Sequence, residues 1–359
     1  MVTRLAVDRD AGLARVMLVD DSAVIRGIMR RWIDAEPTMK VVATAINGQE
    51  ALKEAARTQP DIIILDLEMP VLSGLEALPQ LSKTTPNAKI LIASTLSTRN
   101  ARISLQAMNA GATDYLAKPQ AGEGRDQFKA ELISKLAGFV DAKRLRSIAP
   151  SKITPTSVPN AWNGKPKVIG IGASTGGPRA LTDLLSGLKG RLSRISVMVT
   201  QHMPRQFTEL LGEDLATCAG LQGGQAKDGE PILPGHLYLA PGGAHMRAVQ
   251  IGSGYFVELD EGPPINFCKP AVDPMFQSLA TLYGEDCMGI VLTSMGSDGA
   301  VGAKMIRDEN GFVLAQDEAS SAVWGMPGAT VAAGAAHIVL PVHRMIAEIS
   351  KMILARGLQ

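Results

Sequence analysis

The stretch Val168–Pro178, VIGIGASTGGP, decides how the second half of the chain is expected to fold. Its first four positions are mostly apolar, as in a buried strand of a parallel sheet. A glycine-rich turn follows, and Pro178 then stands near the first position of a helix, where its missing N–H is tolerated. The stretch therefore predicts a strand, a sharp turn and a helix in immediate succession.

The turn places Ser174 between Gly172 and Gly176, which is the spacing of a nucleophile elbow. Small flanking residues let such a turn push one hydroxyl outward, beside the free N–H groups of a helix start. On this stretch alone the alternative is a turn that holds a phosphate or no ligand. A phosphate loop would have lysine where this chain has Pro178, and a dinucleotide fingerprint would have glycine in place of Thr175.

Length and composition narrow the class of protein. A chain of 359 residues suggests two domains, and 46% hydrophobic with 20% charged residues is typical of a globular protein. Lys and Arg number 36 against 35 Asp and Glu, which gives no electrostatic reason to expect nucleic acid or an anionic membrane as partner. Three cysteines in no metal-binding spacing favour a reduced, cytoplasmic setting.

The N-terminal extension Met1–Ala14 has scattered charges and no apolar centre, so we do not expect a signal peptide, and we assign it no function. No apolar run is long enough to span a bilayer, so we expect no direct membrane insertion.

Residues 15–147 are predicted to form the first domain, because five short apolar runs alternate there with helical stretches. This alternation predicts a five-stranded parallel sheet covered on both faces, with any ligand at the carboxyl ends of the strands. The runs are Val16–Val19, Val41–Ala43, Ile62–Leu65, Ile90–Ala93 and Tyr115–Ala117.

Polar residues follow four of these strands: Asp20 and Asp21, then Asp66, Ser94 and Lys118. Carboxylates that converge on one edge repel each other unless a cation joins them, and Mg²⁺ prefers such oxygen ligands. A lysine and a hydroxyl nearby suit a phosphoryl group on Asp66. Any one of these residues could be an ordinary loop acid or surface lysine. That interpretation does not explain why all five follow strand ends.

Residues 148–166 are rich in Pro, Ser and Thr and predict an exposed linker, with Trp162 slightly favoured as an anchor onto a domain surface. Residues 167–359 are predicted to be a second α/β domain, with a β-hairpin at Pro241–Gly243. Its strand-like runs are Val168–Ile171, Ile195–Val199, His236–Ala240, Met288–Leu292, Gly311–Ala315 and His337–Leu340.

His202 and Asp298 each follow the carboxyl end of a predicted strand in this domain, as Ser174 does. The three residues can therefore form a nucleophile, a base and an orienting carboxylate. The alternatives are that His202 only ends a strand and that Asp298 is the N-cap of the helix beginning at Gly299. The order Ser, His, Asp differs from that of the α/β-hydrolases, so that fold is not expected.

The first domain resembles the receiver domain of response regulators in its motifs Leu18–Asp21, Leu65–Pro70, Gly74 and Ala117–Pro119. The resemblance implies a flavodoxin-like fold, Asp66 as phosphoacceptor, and a Mg²⁺ held by Asp20, Asp21 and Asp66. It also implies Ser94 as the switch hydroxyl, within one residue because Thr95 is adjacent, and Lys118 as the phosphate-sensing lysine.

The second domain resembles the CheB family of chemotaxis methylesterases, which implies a Rossmann-like, doubly wound α/β fold. It implies Ser174, His202 and Asp298 as the catalytic triad, and we expect the backbone N–H groups of Thr175 and Met295 to hold the oxyanion. The motifs are Gly170–Pro178, Gln201–Pro204, Leu239–Gly242, Lys269–Phe276 and Leu292–Ala300.

Two departures from the family pattern are Ser294, where glycine is usual, and Cys268–Lys269, where His-Arg is usual. Neither removes a triad residue. The first is expected to bear on the loop that carries Asp298, and the second on how substrate docks.

The resemblance implies an enzyme that hydrolyses γ-glutamyl methyl esters and deamidates some glutamines on methylated chemoreceptors, activated when a histidine kinase supplies phosphate to Asp66. It needs no cofactor for the esterase step. The same enzyme in another sensory pathway, or a catalytically silent scaffold, remains an alternative. A response regulator with a DNA-binding output is disfavoured, because no basic stripe is present.

Overall fold

The structure is a computed structural model that describes residues 12–95, 97–119, 124–147, 162, 164–355 and 357. It divides into two compact units, and each unit contains its own parallel sheet. Residues 1–11 of the N-terminal extension, and residues 148–161 and 163 of the predicted linker, lie outside the described residues.

The first sheet has five strands and is accompanied by helices along the sequence. Its elements are β1 (Ala14–Val19), α1 (Ala23–Asp34), β2 (Met39–Ala45), α2 (Gly48–Thr58), β3 (Ile62–Asp66), α3 (Gly74–Thr84), β4 (Lys89–Thr95), α4 (Thr98–Asn109), β5 (Asp114–Lys118) and α5 (Arg125–Ser147). The strands pair in parallel in the order β2-β1-β3-β4-β5. This is the flavodoxin-like order, which reverses direction between β1 and β3.

Local sequence signals fix where the first helices begin. The Ser22 side chain accepts a hydrogen bond from the third residue of α1, and Asn47 does the same at the start of α2. Ser73 and Glu76 form a reciprocal capping box at the start of α3. Each cap satisfies N–H groups that the helix cannot satisfy itself, so each loop is held close to the strand it leaves.

The second sheet has seven strands. Its unit contains β6 (Val168–Ala173), α6 (Gly177–Gly187), β7 (Ser196–Gln201), α7 (Arg205–Ala219), β8 (Gln222–Gln225), β9 (His236–Leu239), β10 (His245–Ile251), β11 (Gly254–Asp260), α8 (Val272–Tyr283), a 3₁₀ turn (Gly284–Asp286), β12 (Cys287–Val291), α9 (Ala300–Asp308), β13 (Phe312–Gln316), α10 (Met326–Ala332), β14 (Ile338–Leu340) and α11 (Val342–Ala355).

The order of this sheet is β14-β13-β12-β6-β7-β9-β8, and every neighbouring pair is parallel. The chain builds outward from β6 through β7 in one direction and through β12 in the other. Such a reversal leaves a crevice at the carboxyl ends of the central strands, where α/β proteins bind their ligands. The loops after β6, β7 and β12 all open at this edge.

The hairpin predicted at Pro241–Gly243 is wrong in its position. The strand before that turn, β9, pairs with β7 and β8 in the main sheet, whereas β10 pairs antiparallel with β11 in a separate two-stranded sheet. The hairpin turn therefore lies at residues 252–253, since Ile251 pairs with Gly254. An apolar run located β9 but could not specify its partners.

The strand, turn and helix predicted from Val168–Pro178 are present. All six residues of β6 are buried, and Gly176 has a φ of 77°, a conformation that glycine adopts without strain. At Gly177 a Cβ atom would lie 2.0 Å from the Gln201 side-chain oxygen, so a larger residue would have to displace the buried Gln201 side chain. The turn is thus fixed by backbone conformation and by close packing.

Trp162 contacts the second unit, as the anchor interpretation expects. Its Nε1–H donates to the Glu285 carbonyl at 3.2 Å, and its ring lies 4.9 Å from the ring of Phe312.

Among the helices that the structure describes, none combines the length and the apolar character that crossing a membrane requires.

Candidate functional site

Ser174 lies at the carboxyl end of β6, in the crevice between two neighbouring strands. The preceding residue, Ala173, pairs with Gln201 of β7, and the Ala173 carbonyl accepts a hydrogen bond from the His202 N–H at 3.2 Å. On the other side, the Ser174 N–H donates to the Thr293 carbonyl in the loop after β12 at 3.2 Å. The sheet register therefore brings the predicted nucleophile next to the loops that carry the other two predicted triad residues.

His202 and Asp298 are in direct contact, 96 positions apart in the chain. The ring nitrogen Nε2 lies 2.9 Å from Asp298 Oδ2, and the side chains are 12% and 2% exposed. Because a carboxylate only accepts, Nε2 carries the proton and donates it. The nitrogen that can exchange a proton with a substrate or nucleophile is therefore Nδ1.

Asp298 is held by a large set of donors. It accepts hydrogen bonds from the backbone N–H groups of Val272, Asp273 and Gly299 at 2.6, 3.2 and 2.9 Å, and from the Asn266 side chain at 3.0 Å. The first two belong to the first turn of α8, so Asp298 caps a helix on another segment. The alternative that it caps its own helix is wrong, because the N-cap of α9 is Gly299 with no side-chain bond.

These contacts set the protonation of the pair in opposite directions. Burial raises the pKa of Asp298, but the hydrogen bonds from His202, Val272 and Asn266 outweigh it and hold the pKa below its ordinary value. Burial lowers the pKa of His202, but the hydrogen bonds to Asp298 and Cys268 raise it to about 9. Asp298 thus stays ionised and stabilises a positive charge on the imidazole.

Cys268 lies at the other ring nitrogen of His202. Its Sγ is 3.5 Å from Nδ1, and the thiol is partly buried and in no disulfide. Three possible ligand atoms lie within 4.8 Å of one another, one each from His202, Cys268 and Asp298. The family departure at this position therefore places a sulfur inside the site itself.

The other residues of the two departures, Ser294 and Lys269, also have defined contacts. The Ser294 hydroxyl is buried, donates to the Leu292 carbonyl at 3.1 Å and accepts from the Met326 N–H at 3.2 Å, which ties the loop after β12 to the start of α10. Lys269 donates to the carbonyls of Glu261 and Gly262. Its effect on substrate docking stays a prediction.

The remaining histidines have structural contacts. His245 is fully buried, and its ring nitrogens are bonded to the Pro263 carbonyl and the Ala271 N–H. His236 contacts the Pro234 carbonyl, and His337 accepts from the Val313 N–H at 3.1 Å. His343 is exposed on α11.

The two predicted oxyanion donors lie on different loops. Thr175 is buried directly after Ser174, and its carbonyl accepts a hydrogen bond from Thr293 at 2.9 Å. Met295 is half-buried in the loop after β12. The direction of their N–H groups toward a substrate oxygen stays a prediction.

A second cluster lies at the edge of the first sheet. Lys118 at the end of β5 places Nζ 2.7 Å from Asp20 Oδ2 and 2.7 Å from Asp66 Oδ2. Asp20, Asp21 and Asp66 each offer an oxygen within 4.8 Å of the others. Four of the five residues predicted for this edge are thus brought together, and the oxygen ligands of the three aspartates suit a hard cation.

The charges in this cluster are only partly balanced. Burial raises the pKa of Asp66, and the neighbouring Asp20 adds to this, while Lys118 and the Glu68 N–H lower it; the net pKa stands above its ordinary value. Burial lowers the pKa of Lys118, but Asp66 and Asp20 raise it above its ordinary value. The lysine stays charged beside a carboxylate that is costly to ionise.

Ser94 lies near the end of β4 and is 6% exposed, whereas the adjacent Thr95 is exposed. Only Ser94 therefore has the burial expected of a hydroxyl inside the cluster. Its role as the switch hydroxyl stays a prediction.

Two residues of the second site were missed in the sequence. Asn266 donates to both Asp273 and Asp298, at 2.9 and 3.0 Å, and Asp273 in turn accepts from the Gly302 N–H at 2.7 Å. Asp273 lies in the motif Lys269–Phe276, which resembles the family pattern, so the sequence held a signal that could have identified it. Nothing in the sequence around Asn266 distinguished it from a loop residue.

Comparison with known proteins gives two family matches. A CheB methylesterase family model matches residues 169–349, and a response regulator receiver domain model matches residues 16–127. A protein-glutamate methylesterase/protein-glutamine glutaminase of group 2 operon from Bradyrhizobium diazoefficiens is 42% identical over 96% of this chain and 95% of its own. One from Nitrobacter hamburgensis is 44% identical over 94% and 93%.

Among solved structures, the catalytic domain of the Thermotoga maritima CheB methylesterase is similar to this chain. It is 34% identical with a TM-score of 0.50, and the match covers 52% of this chain and 99% of that domain.

Proposed function

This chain belongs to the CheB methylesterase family, and on that premise we propose that it hydrolyses γ-glutamyl methyl esters, and deamidates some glutamines, on chemoreceptor helices under the control of phosphorylation. The observation that carries the proposal is the His202–Asp298 pair, together with the pairing of Ala173 and Gln201, the residues directly before Ser174 and His202. Near-full-length similarity to proteins named as methylesterases and glutaminases supports the reaction class.

Ser174 is the nucleophile in this mechanism. Its Oγ attacks the ester carbonyl while His202 Nδ1 accepts the hydroxyl proton, since Nε2 is already committed to Asp298. Collapse of the tetrahedral intermediate releases methanol, which takes the proton from the imidazolium. Water then attacks the acyl-enzyme by the same route and leaves a glutamate. A glutamine side chain follows the same path and releases ammonia.

Asp298 fixes the ring of His202 and stabilises the imidazolium that forms in each half-reaction. The backbone N–H groups of Thr175 and Met295 stabilise the oxyanion. Losing one such donor costs on the order of 10²–10³ in rate. Small residues around Ser174 allow a side chain of a helical substrate to approach closely.

The first unit receives the phosphoryl group. The three carboxylate oxygens within 4.8 Å suit Mg²⁺, which Asp20, Asp21 and Asp66 would hold. The ion would offset the negative charge of the incoming phosphate. Asp66 accepts the phosphoryl group from a histidine kinase, and Lys118, already 2.7 Å from Asp66, then pairs with the phosphate.

Phosphorylation of Asp66 raises the rate of ester hydrolysis, and the output is sensory adaptation in chemotaxis. The proposal places the protein in the cytoplasm, in keeping with its three free cysteines. Action in another sensory pathway and a catalytically silent scaffold are the competing functions that the experiment below separates.

The test is methanol release from methylated receptor fragments, measured with and without Mg²⁺ and a small phosphodonor. Wild type should release methanol faster with the phosphodonor. Ser174→Ala should release none while still accepting phosphate, and Asp66→Ala should keep a basal rate that the phosphodonor does not change. Equal wild-type rates with and without phosphodonor would refute the regulation, and methanol release by Ser174→Ala would refute the nucleophile. No release by wild type would favour the scaffold.

A further inference from the structure

We propose that His202 and Cys268 form a binding site for a soft divalent cation of the zinc class, and that the bound ion reversibly blocks the esterase. The site overlaps the catalytic residues, and the proposed function does not use the sulfur of Cys268.

The separation of the two candidate ligand atoms fits a tetrahedral ion. In zinc sites an imidazole nitrogen lies about 2.0–2.1 Å and a thiolate sulfur about 2.3 Å from the metal, which puts nitrogen and sulfur about 3.6 Å apart at a tetrahedral angle. Nδ1 of His202 and Sγ of Cys268 are 3.5 Å apart. An ion can therefore bind both atoms with little movement of either side chain.

The second ring nitrogen is arranged as in metal-binding histidines. Such residues almost always donate their other N–H to a carboxylate or carbonyl, which fixes the ring and its tautomer. His202 donates Nε2–H to Asp298 at 2.9 Å, so the lone pair of the neutral ring is on Nδ1, toward Cys268. Asp298 thus orients the ligand and does not need to bind the ion.

The position of Cys268 is set by its backbone. Ile265 and Cys268 exchange two hydrogen bonds, at 3.0 and 2.9 Å, across a two-residue turn in which Asn266 and Phe267 have φ values of 52° and 63°. The fully exposed Phe267 puts the tip of this turn at the surface, and Cys268 itself is partly buried. The thiol is therefore held in place and still reachable by an ion from solvent.

The donor chemistry selects the kind of cation. Thiolate and imidazole favour zinc over magnesium or calcium, whereas the three carboxylates of the Asp20–Asp21–Asp66 cluster favour the hard ions. With two protein ligands, water or the Ser174 hydroxyl completes the coordination. Binding displaces the thiol proton, together with the Nδ1 proton when the ring carries one.

Inhibition follows because the ion occupies the lone pair that accepts the Ser174 proton. This consequence rests on the proposed function, whereas binding itself does not. The two are therefore measured separately on the full-length protein: Zn²⁺ binding by calorimetry, Co²⁺ binding by its thiolate charge-transfer absorption, and methanol release as Zn²⁺ increases and after a chelator is added.

Wild type should show the cobalt–thiolate band and lose methanol release reversibly. Cys268→Ser should lack the band. The Zn²⁺ concentration for half-inhibition should rise by at least about 100-fold, since losing even a hydrogen-bond partner of a ligand costs on the order of 10–100-fold in metal affinity. Cys218→Ser is the matched control, because it removes another partly buried thiol and should behave as wild type.

A cobalt–thiolate band that persists in Cys268→Ser, or equal half-inhibition of wild type and Cys268→Ser, would overturn the site. If Cys268→Ser does not fold, as judged by its thermal unfolding, Cys268→Ala and alkylation of wild type protected by Zn²⁺ give the same comparison. A wild type that binds Co²⁺ through sulfur but releases no methanol would leave the site standing and remove the proposed function.

Discussion

Asp66 ends a strand of the five-stranded sheet, and Asp298 lies in the loop after a strand of the seven-stranded sheet. Both carboxylates are buried, but their hydrogen-bonding environments differ. Asp298 accepts hydrogen bonds from Val272, Asp273, Gly299, Asn266 and His202. Asp66 pairs with Lys118 and accepts a long bond of 3.4 Å from the Glu68 N–H. The pKa of Asp298 accordingly lies below the ordinary value for aspartate, and the pKa of Asp66 lies above it.

The difference shows how one architecture produces two uses of the same side chain. A carboxylate surrounded by donors keeps its charge and its orientation, so it can hold a histidine but is a poor nucleophile. A buried carboxylate with few donors keeps its lone pairs available for a phosphoryl group or a cation. Two of the donors at Asp298, Val272 and Asp273, come from the start of α8, and no corresponding helix end faces Asp66 among the contacts that the described residues give it.

The largest expected effect is on catalysis at Asp298. Asp298→Asn replaces a carboxylate that accepts several hydrogen bonds by an amide with one acceptor oxygen. The variant no longer holds the imidazole of His202 in one tautomer. We expect kcat for methanol release to fall about 10⁴-fold, as for comparable triad carboxylates. Asp66→Asn is the matched change at the other sheet and should keep the basal rate. A loss of less than tenfold for Asp298→Asn would show that the two carboxylates do not differ in this way.

The pH dependence of the esterase is the next largest effect. The base form of His202 is required, and its pKa is raised to about 9, so the rate should increase with pH up to about 9. Well below that pH the unprotonated fraction falls about tenfold per unit, and because half of the rings are unprotonated at pH 9, the rates at pH 7 and pH 9 should differ roughly 50-fold. The measurement is kcat/KM for methanol release across this range.

Cys268→Ala removes one of the groups that raise the pKa of His202, so its pH profile should shift to lower pH. Cys218→Ala serves as the control and should leave the profile in place. A wild-type profile that is flat above pH 7 would contradict the assigned charge on His202.

Stability should respond with opposite signs at the two carboxylates. The raised pKa of Asp66 means that ionisation is disfavoured in the folded protein, so at neutral pH Asp66→Asn should stabilise the first unit. Asp298→Asn leaves buried donors without an acceptor and should cost about 1–3 kcal/mol. For domains of this size each kcal/mol corresponds to roughly 2–4 °C in the melting temperature.

Differential scanning calorimetry of the full chain at neutral pH measures both changes. A decrease in melting temperature for both variants would mean that Asp66 is stabilised by contacts as strongly as Asp298 is.

The smallest effect concerns Asn266, which donates to Asp273 and Asp298. Asn266→Gly removes the side chain but keeps a residue that accepts the φ of 52°. Loss of one donor of several should reduce kcat about three- to tenfold, or ~1 kcal/mol. Asn310→Gly is the control, since Asn310 also has a positive φ and lies at the end of α9. A similar loss in both variants would assign the effect to the backbone.

Much of the fold was predictable because its signals are local. Apolar runs located the strands of the first sheet and all but β8 of the second, because β8 reads QGGQ and has no apolar run. Side chains such as Ser22, Asn47 and Ser73 cap helices directly after these strands or their loops. The hairpin was misplaced because pairing is not local: β9 and β10 follow one another along the chain across the Pro241–Gly243 turn, and only the assembled sheets show that they do not pair.

The site was predictable in its members but not in its contacts. Strand-end position selected Ser174, His202 and Asp298, because carboxyl ends of parallel strands meet at one edge. It could not show that Asp298 caps α8, that Asn266 belongs to the site, or that Cys268 reaches Nδ1. These contacts depend on loop conformations set by the whole unit.

The sequence by itself determined two parallel α/β units, the residues at their strand ends and the family to which the chain is similar, since spacing and periodicity carry that information. The tertiary structure alone decided which ring nitrogen of His202 faces Asp298, how many donors each buried carboxylate receives, and that a cysteine lies in the catalytic crevice. Hydrogen-bond partners are chosen by distance and direction in three dimensions, and residues as far apart as 202 and 298 meet only after the sheet has formed.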